Sequence, residues 1–197
     1  SSQTNGSTTS TSTYKKVDVY EGIKGLEESD VIDSAEFSYG ETTYTLQSLH
    51  NSNNDSNHYL EGDNQCVSLV KRYLENVYGI TGSAGNGGDV AKNLAEREPE
   101  KFEIFENGAA TSPPAVGSVL SMPYSKVGHV AVVKAVEFDG DTAYVQLIEQ
   151  NIGSKAGGAV ANRVAVFKKD VKSNWSGEAK ASRSKEYQAV YNWANPK

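Results

Sequence analysis

Cysteine is almost missing from this chain: Cys66 is the only one in 197 residues. A single thiol excludes an intramolecular disulfide and leaves three roles: buried filler, lone reactive group or link to another chain. Positive charge is also short. Nineteen Lys and Arg face 25 Asp and Glu, for a net charge of -6 and a pI near 5.1. A nucleic-acid binder normally carries a basic face, and none stands out; Phe167-Lys168-Lys169 reads as a strand end. No apolar run approaches the roughly 18–20 residues of a membrane helix, and no internal repeat is visible. What remains is 37% hydrophobic and 22% charged residues, enough for one sizeable globular domain with tails.

The first 13 residues, SSQTNGSTTSTST, are almost wholly Ser, Thr, Gly, Asn and Gln. They offer too little apolar surface to offset ordering entropy, so a disordered tether is expected. Such a tract commonly follows a removed signal peptide or a lipidated cysteine, so export is expected, with or without a lipid anchor upstream of residue 1. Residues 14–49 form an extension in which FSYGETTYTL, 37–46, reads as a hairpin turning near Gly40. Residues 50–62, with His50 and His58, are polar and turn-rich and read as a loop.

A helix should follow, because Val67, Val70, Lys71, Leu74, Val77 and Tyr78 recur at i, i+3, i+4, i+7. Asp63 or Asn64 can cap its start and Gly79 ends it. GSAGNGGD, 82–89, lacks a Walker pattern and reads as a flexible connection. A second helix, roughly 89–97, stops before Pro99. From Pro113 on, the runs 116–122, 129–138, 143–151 and 163–169 are β-rich, Asp139-Gly140-Asp141 is a hairpin turn, and 188–193 offers a last strand. Helices first and a strand meander after give an α+β fold, with N-terminal helices packed on an antiparallel sheet.

Cys66 falls in the first turn of the first helix. Unpaired amides and the helix dipole there favour a thiolate, and the same amides can hold an oxyanion. A thiolate nucleophile needs a nearby base. His129 opens an apolar strand, where an imidazole can face a helix packed on the sheet; a structural histidine is the competing reading. An imidazole also needs an orienting group. Glu149 and Asn151 stand two apart near the end of the next strand and share a face, with Gln150 on the other. If the hairpin turns about Gly140, His129 lies across from Asn151 and one diagonal step from Glu149. A slip of one residue would send both away from His129.

In this order the segments resemble the CHAP domain, the cysteine/histidine-dependent amidohydrolase/peptidase of the papain-like NlpC/P60-related superfamily. NQC at 64–66 before a helix is similar to its nucleophile motif, GHVAVV at 128–133 to its histidine motif and EQN at 149–151 to its Glu-x-Asn motif. PPAVGSVLSM at 113–122 resembles its Pro-x-x-Gly strand opening. The resemblance implies a papain-like fold, with Cys66 as nucleophile, His129 as general base and Glu149 as orienting group. Asn151 would support the site or substitute as orienter, and Gln65 would help shape the oxyanion site. It implies hydrolysis of amide bonds in peptidoglycan, at N-acetylmuramoyl-L-alanine or peptide links, with no metal or other cofactor.

The expected partner is peptidoglycan or its fragments, and the expected state a monomer. The aromatics that often follow the family's cysteine are replaced by Val67 and Ser68, which bears on the substrate groove. The acidic balance gives no electrostatic pull toward an anionic wall. Two other readings stay open. One is an amidase acting on a small soluble amide such as a glutathione–polyamine conjugate. The other is a non-catalytic surface-binding module, whose signature would be loss of Cys, His or carboxylate. Residues 50–197 are expected to form the catalytic domain, and residues 14–62, running into the nucleophile helix, to pass over the cleft.

Overall fold

The computed structural model describes residues 4–5, 10–12, 22–29, 32–49, 65–152, 158–180 and 186–197. The 50–62 loop with its two histidines, and the caps expected at Asp63 or Asn64, lie outside these residues. Two α-helices pack on an antiparallel sheet, the α+β arrangement expected of a papain-like domain. Among the described residues, no helix is long and apolar enough to cross a membrane.

Helix α1 (Cys66–Tyr78) buries Val67, Leu69, Val70, Tyr73, Leu74 and Val77 along one face. Each fully buried aliphatic side chain is worth about 1.5–3 kcal/mol. Gly79 stops the helix in the left-handed region at φ 70°, where its N–H reaches the Glu75 carbonyl and the Ile80 N–H reaches Leu74. At the other end Gln65 is the capping residue and makes no side-chain cap; the Leu69 N–H reaches the Gln65 carbonyl at 3.4 Å. Helix α2 (Val90–Arg97) buries Val90, Ala91, Leu94 and Ala95.

Strands β1 (Thr4–Asn5) and β2 (Ser10–Ser12) precede the hairpin of β3 (Asp33–Tyr39) and β4 (Thr42–Gln47), which turns at Gly40 as expected. The tether expected over residues 1–13 is therefore paired in part. β1 pairs with Val136 and Glu137, and β2 pairs with β3. Strand addition draws on backbone groups alone, so a Ser/Thr-rich composition does not prevent it. The hairpin puts Ala35, Phe37 and Leu46 into the same core as α1, with the Phe37 and Tyr73 rings 4.9 Å apart.

The main sheet comprises β5 (Phe102–Glu106), β6 (Val119–Met122), β7 (His129–Asp139), β8 (Thr142–Ile148), β9 (Val164–Lys169), β10 (Trp175–Lys180), β11 (Tyr187–Ala189) and β12 (Asn192–Pro196). Its order is β11-β10-β9-β8-β7-β6-β12-β5, antiparallel throughout. The last run of the sequence thus splits in two, and β12 inserts between β5 and β6. Val119, Val130, Val132 and Ile148 join the helix-side core, while Leu120, Ala131, Val133, Leu147, Phe167 and Trp193 fill a second core.

Register decides which side chains meet. A turn centred on Gly140 predicts Phe138 opposite Thr142, but Asp139 takes that place. A bulge at Lys134 then absorbs one residue, so Val132 faces Ile148, as the expected register requires. Lys134 is itself buried, and its Nζ donates to Asp33 Oδ2 at 2.6 Å. Burial raises the Asp33 pKa and lowers that of Lys134, in each case outweighing the pull of the partner.

Candidate active site

Three elements bring the expected residues together. The start of α1 carries Cys66, the start of β7 carries His129, and the backbone just past β8 carries Glu149. His129 and Glu149 are buried, and Cys66 is half-buried. The Cys66 and His129 side chains are hydrogen-bond partners, and the backbone N–H groups of Val67 and Val130 also donate to the sulfur. Imidazole Nε2 is engaged by Glu149 Oε1 at 2.8 Å, which leaves Nδ1 for the thiol. Tyr124 stacks on the imidazole at 5.6 Å between ring centroids and 22° between planes.

The electrostatics favour a charge-separated pair. Burial pushes the Cys66 thiol up, but the hydrogen bond and charge of His129, with the amides of Val130 and Val67, outweigh it and hold the pKa below its ordinary value. Burial pulls His129 down, while its bonds to Cys66 and Glu149 win and raise it to about 9. Burial alone would push Glu149 toward neutrality, but the Arg163 charge and the His129 bond keep it below the carboxylate norm.

Arg163 is the residue that sequence reasoning missed. It precedes β9, and its Nε donates to Glu149 Oε2 at 2.5 Å, so both carboxylate oxygens are engaged. Its Nη2 donates to the Lys180 carbonyl at 2.8 Å and to Tyr124 Oη at 3.3 Å. The signal was present: Arg163 opens the apolar run RVAVF just as His129 opens HVAVV, and a buried carboxylate needs a cation.

Asn151 stands elsewhere than expected. β8 ends at Ile148, and Asn151 has left the strand with φ 54°, so it does not sit across from His129 as a strand partner. Its Nδ2 donates instead to Gln65 Oε1 at 2.9 Å. Gln150, expected to point away from Asn151, shares its partner instead: it donates to the Gln65 carbonyl at 2.8 Å, and its Oε1 accepts from Arg72 and the Leu49 N–H. Gln150 and Asn151 together hold Gln65, and so the residue before the nucleophile.

The glycine run also differs from expectation. Gly87 is buried, and a Cβ there would stand 2.9 Å from the Gly128 oxygen and the His129 backbone. Gly88 N–H donates to the Val127 carbonyl at 3.0 Å. These glycines are a close-packed wall against the histidine, permitted by the missing side chains. Gln65, Cys66, Asn86, Gly87, Val127 and Gly128 are among the residues lining a pocket of about 180 Å³ over the sulfur.

A family model, the CHAP domain, matches residues 54–151. This stretch is a CHAP domain. CHAP domains are papain-like cysteine hydrolases with an established link to peptidoglycan and the cell wall, found typically in secreted or wall-associated proteins. A comparison with curated proteins finds no match. The CHAP match ends at Asn151, so it takes in Cys66, His129 and Glu149 but not Arg163.

Proposed function

We propose that this CHAP domain is a cysteine peptidoglycan hydrolase, an N-acetylmuramoyl-L-alanine amidase or an endopeptidase, working by thiol acyl transfer. The observation that carries the reading is the hydrogen-bonded series from Cys66 through His129 to the buried Glu149. In the resting site the thiolate is paired with the imidazolium. Cys66 Sγ attacks the amide carbonyl and forms a C–S bond, with the oxyanion at the positive N-terminal end of α1. His129 gives its proton to the leaving nitrogen as the C–N bond breaks, leaving a thioester and a neutral imidazole. The imidazole then takes a proton from water, hydroxide adds to the thioester carbonyl, and the acid leaves as the thiolate returns.

Glu149 stabilises the imidazolium and fixes its Nε2–H tautomer. Gln65, held by Asn151, borders the oxyanion position. Export, with or without a lipid anchor, and a monomeric state belong to the same proposal; the typical setting of CHAP domains in secreted or wall-associated proteins supports export.

Purified peptidoglycan digested with wild type and with Cys66→Ala, with mass spectrometry of the products, tests the reading. Products from the wild type alone support it, and their masses name the bond. Intact peptidoglycan with both would overturn it and bring forward a small soluble amide or a binding role.

A further inference from the structure

Beside the pocket over Cys66 lies a second cavity of about 370 Å³, within the roughly 300–1,000 Å³ range of ligand sites. The two share Asn86, Val127 and Gly128, so a substrate at the sulfur can extend directly into the second. Two residues of its wall, Glu106 and Asn192, lie in the main sheet. Asn192 on β12 stands opposite Glu106 on β5 in the sheet register, and Asn192 Nδ2 donates to Glu106 Oε2 at 3.4 Å. Asn192 is only 7% exposed, yet its Oδ1 has no hydrogen-bond partner among the described residues. A buried acceptor left unpaired calls for an explanation. Beside it the cavity carries two carboxylates, Glu106 and Asp89, against one cation, the exposed Lys126 at the rim.

We propose that this cavity is a specificity subsite for a protonated primary amine on the substrate, the side-chain or terminal amine of a residue near the scissile amide. An ammonium brings three donors and one positive charge. The Glu106 carboxylate supplies a charged acceptor with the buried Asn192 amide beside it on the adjacent strand, and Asp89 adds charge across the cavity. The exposed faces of Val127 and Tyr191 can cover the methylene stem. The inference rests on the hydrolase reading for the substrate's identity. The recognition chemistry comes from the cavity itself.

The test uses one pair of muropeptides, identical except that the free amine of the diamino acid is N-acetylated in the second. Binding is measured by titration calorimetry with the Cys66→Ala variant of this chain, and turnover with wild type. The amine form should bind about 10- to 100-fold more tightly, the range for a hydrogen bond to a charged group, and in turnover the difference should fall in KM. Glu106→Gln should collapse the preference to a few-fold, and Lys126→Met should sharpen it. Equal binding of the two forms, or a preference unchanged in Glu106→Gln, would overturn the subsite even if wild type cleaves both. A Glu106-dependent preference in binding with no turnover by wild type would uphold the subsite while removing the hydrolase reading.

Discussion

Removing the Arg163 cation should cost this protein both stability and the upper limb of its pH profile. Glu149 is wholly buried and Arg163 only 4% exposed, with 2.5 Å between Nε and Oε2. Breaking a buried pair by deleting one partner strands the other charge, at about 3–5 kcal/mol. Arg163→Met should therefore lose stability in that range by urea denaturation. Glu149→Gln should also destabilise, because it strands the guanidinium. The double variant strands neither charge, so its loss should fall short of the sum of the single losses by about 2 kcal/mol or more.

Activity should move as well. Without the arginine, burial is no longer opposed by its charge, and the Glu149 pKa rises. A protonated Glu149 no longer supports the imidazolium, so His129 falls from about 9 toward its ordinary 6.5. The upper limb of kcat/KM should then shift to lower pH. Additive losses within about 0.5 kcal/mol, together with an unmoved upper limb, would refute the reasoning.

Four further outcomes follow. Replacing the buried pair as Asp33→Asn/Lys134→Met should be neutral or stabilising by about 1–4 kcal/mol in urea denaturation, because burial outweighs the attraction for both groups. Deleting residue 134 from that double variant should leave hydrolysis and cooperative thermal unfolding in place, because Val133 stays opposite Leu147 and Ala135 opposite Gln146 once the inserted residue is gone. Alkylation of Cys66 by iodoacetamide, followed against pH, should report a thiolate at lower pH than an ordinary thiol, and His129→Ala should push that midpoint up. The same pair sets a stability trend. The His129 pKa is raised on folding, so its contribution is complete below the unfolded value near 6.5 and is lost as pH climbs through about 9, which thermal denaturation across that window would measure.

The ends of elements were the legible parts of this sequence. Cys66, His129 and Glu149 each interrupt or terminate an apolar pattern, so their placement could be read before any contact was known. The helices were legible because their apolar residues recur at a helical period over long stretches. The bulge at Lys134 was not. β7 is buried on both faces along most of its length, so no alternation marks where one residue is inserted. The expected register still matched at Val132 and Ile148 because the two-residue turn and the bulge shift the pairing in opposite directions. β10 was missed because WSGEAK is polar and carries a glycine. That glycine is required where Phe167 stands 2.2 Å from any Cβ placed at Gly177. Arg163 and Gln150 act through contacts 14 and 78 residues away in sequence, and no local pattern announces such partners.

The most direct measurement is acid quenching of a single turnover with excess wild-type protein and a soluble muropeptide, followed by peptide mapping of the intact adduct. The account predicts a thioester on Cys66, cleaved by hydroxylamine, whose acyl mass matches one product. Turnover with no adduct at Cys66, and undiminished hydrolysis by Cys66→Ala, would contradict it.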